Sequence, residues 1–213
     1  MGRILGNGFM NSSQFRKRFD SEGDILVALG SNAAQDIDRS VEFITKAIFE
    51  IRNRFDAELT VSRLYRSQAY PQGSGPDYVN AAIAMTSNQA PGDLLRSFHD
   101  IEQIAGRKRA VRWGQRTLDV DLIAVGNRIL PDPLTVRRWI DLPLAEQLAK
   151  APTELVLPHP RIQDRAFVLL PLADIAPDWR HPILRRSVRE MVAALPAGSV
   201  NTVIPLAISE SRP

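Results

Sequence analysis

Thr117-Leu118-Asp119-Val120-Asp121-Leu122-Ile123-Ala124-Val125 is the stretch whose reading decides the fold. Side chains alternate between faces along a strand, so Leu118, Val120 and Leu122 point one way and Asp119 and Asp121 the other. The turn Gly126-Asn127 ends this strand. Working backward, Leu94, Leu95, Phe98, Ile101 and Ala105 repeat at helical spacing. With Pro91 in the first turn and Gly106 at the close, they predict a helix over 91–105. Strands are predicted at Leu59 to Leu64 and Tyr78 to Met85, joined by a long loop holding Pro71, Gly73, Gly75 and Pro76. Such loops are often functional. Val41, Ile44, Ile48, Ile51 and Phe55 mark a helix over about 37–54, opposite a charged face of Arg39, Glu42, Lys46, Glu50 and Arg54. Ile25 to Leu29 is a short apolar run ended by a turn at Gly30-Ser31-Asn32, which reads as a buried strand. The order βαββαβ predicts an α+β fold: a ferredoxin-like antiparallel sheet with two helices on one face.

Beyond this core the character changes. Residues 131–152 carry four prolines, Trp139 and a short helical stretch at Leu144 to Ala149, and read as an insertion. Pro158-His159-Pro160 follows. Phe167 to Ile175 reads as a short packed helix or turn broken at Pro171, and Ser187 to Leu195 as an amphipathic helix. The last 18 residues carry no pattern. The expected organisation is a poorly ordered N-terminal extension (1–22), a catalytic domain (23–180) and a C-terminal extension (181–213).

The 213 residues include no cysteine, which excludes a disulfide scaffold, a zinc ribbon and a thiolate nucleophile. No apolar run reaches the roughly 18–20 residues of a membrane helix. In the first 22 residues the cationic cluster Arg16-Lys17-Arg18 follows the apolar part, the reverse of a signal peptide. A cytoplasmic protein is expected. The net charge is only +3, yet the cations are 23 Arg and four Lys. Arginine offers a planar fork of donors suited to phosphate oxygens. Most are scattered; the exception is Arg107, Lys108, Arg109, Arg112 and Arg116, five cations in ten residues with no acid among them.

Asp119 and Asp121 share a strand face, and a cation beside them relieves their repulsion. Hard carboxylate oxygens suit Mg²⁺ presented with a phosphate-bearing substrate. Taken alone, such a pair is more often the mark of a solvent-facing strand, and a basic run more often that of a solvated surface. Their adjacency favours chemistry, because phosphoryl-type transfer needs mainly positioning and charge neutralisation. The sequence has no GxxxxGK[ST] loop, so nucleotide binding of the P-loop kind is not expected.

Arg112-Trp113-Gly114-x-Arg116-x-x-Asp119-x-Asp121 resembles the signature of the 6-hydroxymethyl-7,8-dihydropterin pyrophosphokinase family of folate biosynthesis. The likeness extends to Ala28-Leu29-Gly30-Ser31-Asn32, to Ser62-x-x-Tyr65-x-Ser67, to Pro76-Asp77-Tyr78-Val79-Asn80-Ala81-Ala82, and to Pro158-His159-Pro160-Arg161 with Arg165-Ala166-Phe167-Val168. It spans roughly residues 24–179, in family order.

The resemblance implies Mg²⁺-dependent pyrophosphoryl transfer from ATP to the pterin hydroxymethyl group, with AMP released. It implies that Asp119 and Asp121 hold two Mg²⁺ ions, and that Arg107, Arg112, Trp113 and Arg116 belong to a mobile catalytic loop. Tyr78 and Phe167 would sandwich the pterin, Asn80 would hydrogen-bond it, and Ser67 and Tyr70 would offer it backbone groups. His99, Glu102, Arg109, His159 and Arg165 fall at ATP-side positions. The resemblance also suggests dihydropteroate synthase as a functional neighbour; neither nucleic acid nor membrane is an expected partner. Two rival readings share some features. An RNA-binding ferredoxin-like module would need exposed aromatics on the central strands, where this chain has aliphatics and acids. A metal-dependent nuclease would share the acidic pair but need a further carboxylate or histidine nearby.

Overall fold

The computed structural model describes Phe19 and residues 21–33, 36–69, 75–106 and 117–207. Five strands, β1 (Asp24–Ser31), β2 (Thr60–Val61), β3 (Tyr65–Ser67), β4 (Tyr78–Thr86) and β5 (Asp119–Val125), enclose two helices, α1 (Ile37–Phe55) and α2 (Pro91–Ile104). Strand order is β5-β1-β4-β3, with β2 also on β4, and every described pair is antiparallel. This is the ferredoxin-like arrangement expected from βαββαβ.

Local chemistry accounts for the helix limits. Asp36 caps α1 by accepting from the Asp38 N–H at 3.0 Å, which satisfies one of the unpaired amides of a helix start. Pro91 opens α2, and Gly106, at φ +85°, follows its end in the left-handed region that glycine enters without cost. Ile44, Ala47 and Ile51 of α1 and Leu94, Phe98 and Ile101 of α2 bury against Ile25, Val27, Leu29, Ile83, Val120 and Leu122. The opposite sheet face, with Leu26, Ala28, Ala82 and Ala84, is covered by Val168, Leu169 and Leu172 of a later helix and by Trp179, Val188 and Met191. Two helices on one face are therefore only half of the packing.

Four expectations need correction. Leu59 to Leu64 is not a strand over its length: only Thr60–Val61 (β2) is. The strand stops at Ser62, whose hydroxyl accepts the Ala82 N–H at 2.8 Å in place of a ladder bond, and pairing resumes at Tyr65 with β3. Phe167 to Ile175 is not broken at Pro171 but runs unbroken as α5 (Ala166–Ile175), following α3 (Pro133–Ile140) and α4 (Leu144–Ala149) in chain order. The hydrogen bond that Pro171 forgoes is to the Phe167 carbonyl, in the partly exposed first turn. The 131–152 segment holds the expected helix at Leu144–Ala149 (α4) but also an unexpected second one, α3 (Pro133–Ile140). Asp132 caps α3 through the Leu134 and Thr135 amides. Finally, the last 18 residues are not patternless: after α6 (Val188–Ala194), α7 (Ala197–Val200) leads to β6 (Val203–Pro205), which pairs with β3. Among the described residues no helix is long and apolar enough to cross a membrane.

Candidate active site

One row of the sheet carries the site. Tyr65 pairs with Asn80, Asn80 with Gly30, and Gly30 with Asp119. The next row joins Asp121, Ala28 and Ala82. Directly opposed residues of antiparallel strands share a face, so both aspartates lie with Asn80 on the face that α5 covers. At neighbouring-strand spacing, Asp119 and Asn80 are about 10 Å apart across β1. Gly30 forms the floor between them, and an added Cβ there would already meet the Asn80 Oδ1 at 3.7 Å. The sequence reading put Gly30 in a turn, whereas it lies inside β1. A glycine within a strand run signals a close approach to that surface.

Asp119 and Asp121 are half-buried. Among the described residues no cluster of three His, Cys, Asp or Glu side chains forms. Two carboxylates on one strand face nevertheless fit a Mg²⁺ ion, which keeps several waters and takes its remaining ligands from substrate phosphates. The backbone between them is fixed from the side, since the Val120 N–H donates to Oε1 of the buried Glu102 at 2.8 Å. Glu102 thereby ties α2 to the outer edge of β5. His99, half-buried, lies one turn earlier on α2.

The other wall comes from the segment before α5. The His159 N–H donates to the Ile123 carbonyl of β5 at 2.8 Å, and the Arg161 N–H donates to His159 Nδ1 at 3.2 Å. With Nδ1 accepting, the neutral imidazole carries its proton on Nε2. Burial, with the positive charges of Arg165 and Arg161 acting in the same direction and Asp119 opposing, pushes the His159 pKa down to about 3. The imidazole is thus a neutral donor at physiological pH. Arg165 precedes α5, its guanidinium 5.7 Å from the centre of the Phe167 ring, which is 38% exposed.

On the far side of Gly30, Asn80 is buried and donates through Nδ2 to the Ser67 hydroxyl at 2.9 Å. Ser67 pairs with the half-buried Tyr78 in the β3–β4 ladder. The Arg66 side chain on β3 meets Asp77 at 2.6 Å and closes the base of the loop between them. The base of α5 is anchored by Asp174, which accepts from Arg63 Nη2 at 2.7 Å and from the Tyr65 hydroxyl at 3.0 Å. Burial beside that carboxylate raises the Tyr65 phenol above its ordinary range.

The structure thus gathers Asp119, Asp121, His159 and Arg165 on one side of Gly30 and Asn80, Ser67 and Tyr78 on the other. Tyr70, Arg107, Arg109, Arg112, Trp113 and Arg116 lie outside the described residues. Across residues 26–177, the sequence matches the family described as 7,8-dihydro-6-hydroxymethylpterin-pyrophosphokinase (HPPK). The chain belongs to this family. A Pseudomonas aeruginosa HPPK, named 2-amino-4-hydroxy-6-hydroxymethyldihydropteridine pyrophosphokinase, is 38% identical over 173 residues, covering 81% of this chain and 91% of its own. The Synechocystis enzyme of the same name is 35% identical over 183 residues, covering 84% and 80%. Among solved structures, the wild-type HPPK-DHPS of Plasmodium falciparum aligns with TM-score 0.55 at 13% identity, over 80% of this chain and 44% of that one. At that identity the likeness speaks for the fold, and this chain spans under half the length of the fused enzyme.

Proposed function

We infer that the chain transfers the pyrophosphoryl group of ATP to the hydroxymethyl oxygen of 6-hydroxymethyl-7,8-dihydropterin, giving AMP and the pterin diphosphate in folate biosynthesis. The observation that carries the reading is the single sheet row that sets Asp119 and Asn80 on one face about 10 Å apart across Gly30. A carboxylate pair with a neutral histidine and an arginine suits phosphates on one side; an amide with aromatics suits a flat heterocycle on the other. The hydroxymethyl oxygen bonds to the β-phosphorus as the bond from that phosphorus to the AMP oxygen breaks, and the hydroxyl proton leaves to solvent or a carboxylate.

In this reading Asp119 and Asp121 would hold two Mg²⁺ ions, and the bound metal would supply neutralisation of charge on the phosphate oxygens. His159 and Arg165 meet the nucleotide, with His99 and Glu102 on the α2 side. Asn80, its amide nitrogen engaged by Ser67, offers Oδ1 to donors on the pterin edge, and Tyr78 and Phe167 flank the ring. Tyr70 and Ser67 supply backbone groups to the pterin. Arg107, Arg109, Arg112, Trp113 and Arg116 supply cations and a water-excluding cover, in keeping with the role of loop closure in such transfers. Residues 23–180 form the catalytic unit, acting in the cytoplasm. The product is a substrate for dihydropteroate synthase, and fusion of the two activities in HPPK-DHPS proteins supports that neighbourhood.

The test is AMP formation followed chromatographically with MgATP and the pterin. The expected result is pterin-dependent AMP that falls at least about a hundredfold in Asp119→Asn and Asp121→Asn, with melting temperatures near wild type. AMP release that ignores the pterin, or full activity in either variant, would overturn the reading.

A further inference from the structure

The 131–152 segment is more than an insertion at the edge of the sheet, because one side chain ties it to the nucleotide wall. The Arg161 guanidinium donates through Nη2 to the Gln147 carbonyl and, at 3.1 Å, to the Lys150 carbonyl. Both belong to the C-terminal end of α4, where carbonyls lack helical partners and the helix dipole favours a cation. Gln147 is itself buried and donates to the Leu142 carbonyl at 2.7 Å, which fixes the turn that enters α4. From the same residue, the Arg161 backbone N–H holds His159 Nδ1 at 3.2 Å. His159 is held in turn to β5 through the Ile123 carbonyl, two residues beyond Asp121. At the other end of the segment, Leu130 and Leu157 exchange backbone hydrogen bonds at 2.9 Å, so the two chain ends that carry α3 and α4 are joined beside β5.

We propose that Arg161 is a positioning residue for the nucleotide side of the reaction: by clamping the end of α4 it fixes the Pro158–Arg161 turn, and so the direction in which His159 presents Nε2–H. The bonds to the Gln147 and Lys150 carbonyls direct the guanidinium at α4, and the role assigned to Arg161 is exerted through His159. Without the guanidinium the Gln147 and Lys150 carbonyls lose this donor, and the turn loses a contact that opposes its rotation about the His159–Ile123 bond. His159 then samples orientations in which its donor misses the nucleotide. The pterin side, reached through β3 and β4, is not on this path. The segment between β5 and His159 thus acts as a brace for a nucleotide-binding histidine.

This inference rests on the placement of His159 at the nucleotide, and the experiment separates the two. Steady-state KM values for ATP and for the pterin are measured for wild type, Arg161→Ala, His159→Ala and the double variant, with thermal melting of each. Expected are a rise of about tenfold in the ATP KM for Arg161→Ala, a pterin KM within twofold of wild type, and a penalty for Arg161→Ala that falls below twofold in the His159→Ala background. Arg161→Gln, which keeps a donor for the α4 carbonyls, gives a smaller rise and serves in the same cycle if the alanine variant does not fold. Additive penalties, or equal rises in both KM values, overturn the positioning role. If His159→Ala alone leaves the ATP KM unchanged, the placement of His159 fails, and the brace with it; if wild type forms no AMP with the pterin, the catalytic reading fails first.

Discussion

Glu102 is where the tertiary structure and the sequence ask different things of one side chain. The family resemblance places it toward ATP; the structure buries it to 2% exposure with Oε1 accepting the Val120 N–H at 2.8 Å, between the two aspartates of β5. Glu102→Ala leaves that amide without its acceptor, which costs about 1–3 kcal/mol. Truncation also leaves a small void worth about 1 kcal/mol. A central loss of about 3 kcal/mol corresponds to a melting temperature lower by about 9 °C in a chain of this size. Glu102→Gln keeps a carbonyl oxygen for Val120 and is expected to lose less than half as much. The assay is thermal unfolding by circular dichroism, paired with AMP formation well below the transition, where the alanine variant also loses turnover because β5 carries Asp119 and Asp121. An alanine variant melting within 2 °C of wild type, or a glutamine variant that falls as far as alanine, would refute the edge-capping argument: either result means that the Val120 amide does not depend on this acceptor.

Two further outcomes follow from buried groups and backbone geometry. His181 is fully buried, with Nδ1 accepting the Ile183 and Leu184 amides, and burial pushes its pKa down to about 4. The unfolded chain takes up a proton near pH 6.5 that the native state refuses, so this contribution is intact above that pH. It declines by up to about 1.4 kcal/mol per pH unit as pH falls from 6.5 toward 4. Denaturant unfolding between pH 7.5 and 4.5 should show a shallower decline in His181→Asn than in wild type; identical slopes would rule this out. The second outcome concerns two glycines in the left-handed region. At Gly126 (φ +51°) a Cβ would lie 2.9 Å from the Glu22 Cα and 3.0 Å from its carbonyl oxygen, whereas at Gly106 (φ +85°) it meets nothing within 4 Å among the described residues. Gly106→Ala should therefore cost only the conformational penalty of about 1 kcal/mol, and Gly126→Ala clearly more; equal melting temperatures for the two variants would count against the close approach.

Much of this architecture is legible in the chain. The alternation in Leu118 to Leu122 and the helical spacing of Val41 to Phe55 and of Leu94 to Ala105 define β5, α1 and α2 to within two residues, because one-sided burial imposes a period on each. The capping pair Ser187 and Glu190 is visible as a helix start and closes α6 as a reciprocal box. A start for α3 is also legible in Asp132-Pro133, a capping residue before a first-turn proline, but the segment with its four prolines reads only as an insertion. Strand β6 had no such signal: three residues, two of them exposed, become a strand only because β3 offers an unpaired edge. Ser62 likewise ends β2 because its hydroxyl finds the Ala82 amide, a partner 20 residues away.

For the site, sequence alone determined the chemistry at hand: a carboxylate pair on one strand face, the family to which the motif belongs, and the residue types that suit phosphate and a flat ring. What only the tertiary structure decided is which of these meet. That Gly30 lies between Asn80 and Asp119 depends on the pairing of β1 with both β4 and β5. That Glu102 closes a strand edge, and that Arg161 joins α4 to His159, depends on contacts between elements 18 and 14 residues apart. The physical reason is the range of the forces involved. Periodic burial is written locally, one turn or one pleat at a time. A hydrogen bond between distant elements exists only after the core has brought them together, and no spacing along the chain encodes it.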